Sequence, residues 1–261
     1  MNDTLRITAC PLEVSPGDIR ANLNAAEDAM QAAAAFRPDI VVFPELMNSG
    51  FVSSADAMRS LAEGPDGTTM QAVRRMAREH DCAIAGSYDA LAEDGSCRNR
   101  AFFVEPDGRT TFYDKRHLFS LSKEARIFSR GDKATPVVEF RGWKVALNVC
   151  YDLRFPVWMR NAGYAYDVML LPANWPASRA YALEHLLIAR AIENQAAIVC
   201  ANLAGSDRFG TYDDCTFAFD HTGQPAFLPG TFTADFSLQA IREARDYMPC
   251  MRDADDFTVR L

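Results

Sequence analysis

The chain has 261 residues, of which 49% are hydrophobic, and this predicts one large domain, residues 1–261, with a sizeable core. Its formal net charge is −8, its acidic residues are spread along the sequence, and no basic block is present, which argues against nucleic-acid binding. Residues 1–6 lack a signal-peptide pattern and no apolar run reaches the ~18 residues that span a membrane, so we expect a soluble cytoplasmic protein.

The first third of the chain alternates predicted strands and helices. Short apolar runs predict strands over Leu5–Cys10, Ile40–Phe43 and Cys82–Ser87. Asp18 is a candidate N-cap for a helix whose apolar residues recur at helical spacing as far as Ala33. Further helices are predicted over 53–61 and 70–80. This order indicates a layered α/β domain.

Hairpins and longer connections follow. Arg100–Val104 and Thr110–Tyr113 predict one hairpin, and Val137–Phe140 and Trp143–Val149 predict another. The remaining predicted elements are a helix over 156–162, a strand over 168–171, a helix over 178–195, a strand over 197–201, and a hairpin of 216–219 with 225–228. The strands are apolar on both faces, which suits sheets covered by helices on one side and by a second sheet on the other.

The polar C-terminal tail, residues 252–261, is predicted either to be loose or to pack on a partner. The chain has seven cysteines and no CxxC motif, so we expect free thiols and a reducing compartment. Its four histidines lack the paired spacing of a zinc site, and no metal is expected.

Three residues suited to covalent amide chemistry each follow a predicted strand, namely Glu45, Lys115 and Cys150. Cys150 lies where a strand ends at a sharp turn into a helix, and the N–H groups there would make its thiol more acidic. A desolvated carboxylate can act as its base because burial raises the carboxyl pKa, and Glu124 is a candidate second carboxylate. The alternative is a buried structural cysteine with two solvated loop residues.

These residues lie in sequence blocks that resemble the nitrilase (carbon–nitrogen hydrolase) superfamily. Three blocks match its catalytic regions in type and order, namely Asp39–Glu45, Tyr113–Phe119 and Asn148–Pro156. Similarity also covers Gly86–Tyr88, Asn174–Pro176 and Ala189–Gln195, so it extends over nearly the whole chain. The blocks are most similar to the omega-amidase branch.

The resemblance implies a four-layer α-β-β-α sandwich that forms a homodimer through helices, with no metal or organic cofactor. It implies that Cys150 is the nucleophile, Glu45 the general base and Lys115 the oxyanion stabiliser. Glu124 would orient the lysine and the water, and the backbone N–H of Tyr151 would be the second oxyanion donor.

Omega-amidases hydrolyse the terminal amide of 2-oxoglutaramate and 2-oxosuccinamate, which are small anions. The pocket should therefore offer a cation to the distal carboxylate, and Arg154 and Arg179 are the candidates. Asn174 and Trp175 are expected to form its walls. Two alternatives stay open, namely that Arg154 forms a structural pair with Asp152 or a neighbouring carboxylate, and that Trp175 only packs.

The sequence departs from that branch at three places. Asp214 stands where relatives tend to have glycine, Leu183 where they tend to have tryptophan, and Cys10-Pro11 where glutamine is usual. Since residues near the pocket select the acyl group, other activities stay open. These are hydrolysis of nitriles, N-carbamoyl amino acids or aliphatic amides, acyl transfer to an amine, and a non-catalytic binding role.

Overall fold

The structure is a computed structural model that describes residues 3–52 and 54–259. Three predictions fall partly outside these ranges. They concern the absence of a signal peptide (residues 1 and 2), the helix over 53–61 (residue 53) and the C-terminal tail (residues 260 and 261).

The strands of the described chain alternate with helices in its first part, as predicted. They are β1 (Thr4–Ala9), β2 (Ile40–Val42), β3 (Ala83–Leu91), β4 (Cys97–Val104), β5 (Thr110–Asp114), β6 (Val137–Phe140), β7 (Trp143–Leu147), β8 (Val168–Pro172), β9 (Ala197–Ala201), β10 (Ser206–Asp207), β11 (Gly210–Thr211), β12 (Phe217–Phe219) and β13 (Thr233–Ser237). The α-helices are α1 (Ile19–Ala34), α2 (Ala55–Leu61), α3 (Thr68–Glu79), α4 (Glu124–Ile127), α5 (Ala180–Asn194) and α6 (Leu238–Tyr247).

A six-stranded sheet, ordered β13-β1-β2-β3-β4-β5, carries helices α1 and α3 on its outer face. Alternate residues of β2 point to opposite faces. Val41 packs with Leu23 of α1 and Val73 of α3, whereas Ile40 and Val42 point to the other face and join the central core. Since both faces are buried, the strand is a continuous apolar run, as expected for a strand between two layers.

A five-stranded sheet, ordered β12-β9-β8-β7-β6, contributes the second half of the central core. Val145 of β7 and Leu170 of β8 share an apolar cluster with Ile40, Val42 and Leu187 of α5. Because α5 also packs on β9 and β12, this sheet too is covered by helix on its outer side. The expected four-layer α-β-β-α sandwich is confirmed.

The prediction of a helix over 156–162 is wrong. The chain forms turns there, and a short 3-10 helix follows at Ala162–Tyr164. The side chain of Asn161 explains this, because its amide donates to the carbonyls of Tyr166 and Asn194 and its oxygen accepts from the Tyr166 N–H. Such side-chain bonds compete with the backbone bonds of a helix.

The final predicted hairpin is only partly present. Pro225 bridges to Phe219 of β12, but Phe227 bridges to Ala234 of β13. The segment therefore crosses from the five-stranded to the six-stranded sheet. Strand β13 and helix α6 were not predicted. Within 3–52 and 54–259, no helix combines the length and hydropathy needed to cross a bilayer.

Candidate active site

One buried ammonium lies between two carboxylates at the strand ends. Lys115 directly follows β5, and its Nζ lies 2.7 Å from Oε1 of Glu45 and 2.6 Å from Oε1 of Glu124. Glu45 lies just after β2, and Glu124 is the first residue of α4. All three residues are at most 5% exposed. Two of the three ammonium protons are thereby used, which leaves one for a ligand.

Asn99, in the middle of β4, joins the two carboxylates. Its Nδ2 donates to Glu45 Oε1 at 2.6 Å and to Glu124 Oε1 at 3.2 Å. Its Oδ1 accepts a 2.9 Å bond from Ser87, whose hydroxyl in turn accepts from the Leu46 N–H. Neither Asn99 nor this role of Ser87 was predicted.

The thiol of Cys150 faces this group from the second sheet. Cys150 follows β7 and begins a 3-10 helix, Cys150–Arg154, with a left-handed φ of 43° that is strained for a residue with a side chain. Its Sγ lies 3.9 Å from the carbonyl oxygen of Asn174 and interacts electrostatically with the Glu45 carboxylate. The N–H of Tyr151 belongs to the first turn, where N–H groups have no intrahelical acceptor.

The backbone of Asn174, after β8, connects the thiol and its neighbouring carboxylate. Its N–H donates to Glu45 Oε2 at 2.9 Å, while its carbonyl accepts from the Cys150 thiol at 3.9 Å. Asn174 was predicted to be a side-chain wall, and the structure adds this backbone contact.

Burial sets the protonation of the site. It raises the pKa of the Cys150 thiol well above its usual value. The Glu45 carboxylate raises this pKa further, and its effect outweighs the lowering by the Lys115 ammonium. Burial also raises the pKa of Glu45, opposed by the Lys115 ammonium. For Lys115 itself burial favours the neutral amine, but Glu124 and Glu45 reverse this and raise its pKa well above normal.

The greater acidity predicted for the thiol from its helix N-terminus is therefore wrong. A thiol whose pKa is raised in this way needs a base to react.

These groups open into a cavity of about 360 Å³ whose walls include several aromatic side chains. Trp175 and Phe119 line it, each with an exposed guanidinium over its ring. Arg154 lies 4.8 Å from the Trp175 ring centroid, and Arg179 lies 5.1 Å from that of Phe119. Asp152 is bonded to Tyr113 and His117, so the alternative pairing with Arg154 does not form.

The family model for carbon-nitrogen hydrolases matches residues 6–246 of the chain. The chain belongs to the carbon–nitrogen hydrolase family. As a member of that family it is an enzyme that hydrolyses carbon–nitrogen bonds.

Relatives of this carbon–nitrogen hydrolase include omega-amidase YafV of Escherichia coli (strain K12), 42% identical over 84% of this chain and 85% of the relative. Omega-amidase YafV of Yersinia enterocolitica is 37% identical over 97% of this chain and 98% of its own. Among solved structures, XC1258 from Xanthomonas campestris, a CN-hydrolase superfamily protein with an arsenic adduct in its active site, superposes with a TM-score of 0.90. It is 34% identical, over 99% of this chain and 100% of that chain.

The three departures from the omega-amidase branch lie outside the cavity walls of this hydrolase. Leu183, on α5, is buried in the central core, and Cys10 is buried beneath α1. Asp214 is exposed and left-handed, with φ of 59°, where glycine would be unstrained. The cavity is lined instead by its neighbour Tyr212, and by Phe51 and Phe209, which were not predicted.

Proposed function

We propose that this hydrolase is an omega-amidase that converts 2-oxoglutaramate and 2-oxosuccinamate to the free acids and ammonia. The observation that carries the proposal is a buried thiol, carboxylate and ammonium in one small cavity that two exposed guanidiniums also line. A cavity of this size suits a short acyl chain, and the guanidiniums suit its distal carboxylate. The names of the two YafV relatives support the same substrate class.

In the acylation step, Cys150 attacks the amide carbon and its S–H proton passes to Glu45. The carbonyl oxygen takes up the electron pair of the broken π bond and is held by the third Lys115 proton and the Tyr151 N–H. Collapse of this intermediate breaks the C–N bond. Glu45 returns the proton to the nitrogen, which leaves as ammonia.

In the deacylation step, water attacks the thioester while Glu45 takes one of its protons. The same two donors hold the second oxyanion. Breaking the C–S bond then releases the acid, and the proton on Glu45 returns to the sulfur. Glu124 keeps the Lys115 ammonium in place throughout, since it accepts the second of its hydrogen bonds.

Ammonia release from a panel of amides tests the proposal. We expect 2-oxoglutaramate and 2-oxosuccinamate to be hydrolysed faster than butyramide or an N-carbamoyl amino acid, and Cys150→Ala to abolish release. Carbon dioxide formed together with ammonia would indicate a carbamoyl substrate instead. Wild-type activity in the Cys150→Ala protein would contradict the mechanism.

The two guanidiniums are assigned to the distal carboxylate of the substrate. A charge-assisted hydrogen bond contributes about 1.5–3 kcal/mol, so Arg154→Gln and Arg179→Gln should each raise KM for 2-oxoglutaramate about 10- to 100-fold. Butyramide, which has no carboxylate, is the matched control, and its kcat/KM should change less than threefold. Equal losses on both substrates would mean that the arginines only support the pocket.

We also propose that the chain is one domain over 1–261 and a cytoplasmic homodimer. All seven cysteines are free thiols, which supports a reducing compartment. The exposed apolar side chains Tyr181, Ile192 and Tyr247, on α5 and α6, support a helical dimer interface. Light scattering should give twice the monomer mass, and Tyr247→Asp should lower it.

A further inference from the structure

A third carboxylate, that of Asp152, lies in the same short helix as Cys150 and lines no part of the cavity. Asp152 is fully buried in the 3-10 helix that begins at Cys150. Its Oδ1 accepts from the His117 N–H at 2.9 Å and bonds His117 Nδ1 at 2.8 Å. Its Oδ2 accepts from the Tyr113 hydroxyl at 2.8 Å and from the Val149 N–H at 3.2 Å.

These bonds connect the two segments that carry the reacting groups. Val149 immediately precedes Cys150, just after strand β7 of the five-stranded sheet. Tyr113 and His117 lie two residues before and two residues after Lys115, at the end of the first sheet. The Asp152 carboxylate thus bonds residues on both sides of Lys115 and also the residue next to Cys150.

The thiol segment needs such an anchor. The left-handed backbone of Cys150 is strained, and a strained residue persists only when its surroundings hold it from several directions. An ionised carboxylate accepts hydrogen bonds at both oxygens, whereas an asparagine offers only one acceptor oxygen. Asparagine in place of Asp152 therefore cannot keep the contacts of both oxygens.

We propose that Asp152 is a positioning residue for the proposed amide hydrolysis, fixing the Lys115 ammonium and the Cys150 thiol relative to each other. It contacts neither substrate nor thiol and acts through Val149, Tyr113 and His117. The inference rests on the roles proposed for Cys150 and Lys115. It predicts that replacing the Asp152 carboxylate lowers the rate of the chemical step and leaves substrate binding nearly unchanged.

The test compares Asp152→Asn with Asp167→Asn. Asp167 is a matched control because it is also buried and accepts from a backbone N–H, that of Lys144, and from the side chain of Arg245, outside the cavity. Displacing reacting groups by about 1 Å can cost 10²-fold, so we expect kcat of Asp152→Asn to fall 10- to 100-fold with KM within threefold. Asp167→Asn should keep kcat within twofold.

A double variant separates positioning from general support. Tyr113→Phe removes one donor to Asp152 and should lower kcat by less than Asp152→Asn does. If both act through the same carboxylate, adding Tyr113→Phe to Asp152→Asn should cost no more than a further twofold. Losses that multiply in the double variant, or a kcat of Asp152→Asn within twofold of wild type, would overturn the inference.

Alkylation of Cys150 by iodoacetamide, followed by mass spectrometry at pH 7.5, gives a readout that needs no substrate. Removing the Asp152 charge would by itself favour the thiolate and speed the reaction, whereas loss of the nearby ammonium slows it. We expect about tenfold slowing in Asp152→Asn and no change in Asp167→Asn. A faster or unchanged rate would overturn the inference, whereas a wild-type protein without amidase activity would count against the proposed function.

Discussion

At the scale of single residues, the site depends on how two like charges are kept close together. Glu45 and Glu124 both bond the Lys115 ammonium through Oε1, and Asn99 donates to the same two oxygens. The Asn99 amide thus provides a further, neutral hydrogen-bond donor to two carboxylates that share a single ammonium. Asn99 is 1% exposed, so its amide is shielded from bulk water.

Without the Asn99 amide, Glu45 should lose its proton, and so become able to act as a base, only at a higher pH. Without the Asn99 bond the charged form of Glu45 is less stable, so Asn99→Ala should move the acidic limb of the kcat/KM profile to higher pH. We expect kcat to fall about 10- to 100-fold, since a bond to a charged group contributes about 1.5–3 kcal/mol. Asn194→Ala, which removes a buried asparagine outside the cavity, is the control. An acidic limb at the wild-type pH in Asn99→Ala would show that the amide does not tune Glu45.

At the scale of secondary structure, apolar periodicity predicted most elements but not α6. The buried face of α6 combines Leu238 and Ile241 with Arg245, whose guanidinium lies 2.7 Å from Asp167. A charged residue on the buried face interrupts the apolar pattern, and its partner is 78 residues away in sequence. Local periodicity contains no information about such a pair.

The same reason explains which site residues the sequence could indicate. Cys150, Lys115 and Glu45 stand at strand ends within recognisable blocks. Asn99 lies inside a strand, and its carboxylate partners are 54 and 25 residues away. A buried polar residue in a strand signals that partners exist, but only the folded chain shows which they are.

The segment between β11 and β12 carries local strain at Asp214. A non-glycine residue in the left-handed region costs about 1–2 kcal/mol, and glycine has no such cost. Asp214→Gly should therefore be more stable than Asp214→Ala by about 1 kcal/mol, measured by urea unfolding. The alanine variant is the control because it also lacks the carboxylate but keeps the strain. Equal stabilities would mean that the strain is already relieved elsewhere.

At the scale of the whole molecule, the site exists only where the two sheets meet. Glu45, Asn99 and Lys115 come from the six-stranded sheet, while Cys150 and Asn174 come from the five-stranded one. Catalytic activity should therefore be lost with the global unfolding of the sandwich, and conditions that change the stability of the fold also limit the enzyme.

Asp89, in central strand β3, should make the stability of the whole fold depend on pH. It is fully buried, and neither of its carboxylate oxygens has a hydrogen-bond partner among residues 3–52 and 54–259. Burial, with help from Glu63, raises its pKa from 3.8 to about 8. Between these values the folded chain keeps a proton that the unfolded chain has released, so stability falls as pH rises from about 4 to 8.

Asp89→Asn removes this titration without changing the size of the side chain. The free energy of unfolding of the variant, relative to wild type, should therefore rise between pH 5 and pH 8 by up to about 1.4 kcal/mol per pH unit. Urea unfolding followed by circular dichroism at each pH measures it. Asp28→Asn, at an exposed position on α1, is the control for the loss of a carboxylate. A pH-independent difference for Asp89→Asn would mean that Asp89 ionises in the folded protein at its ordinary pKa, with water reaching the carboxylate.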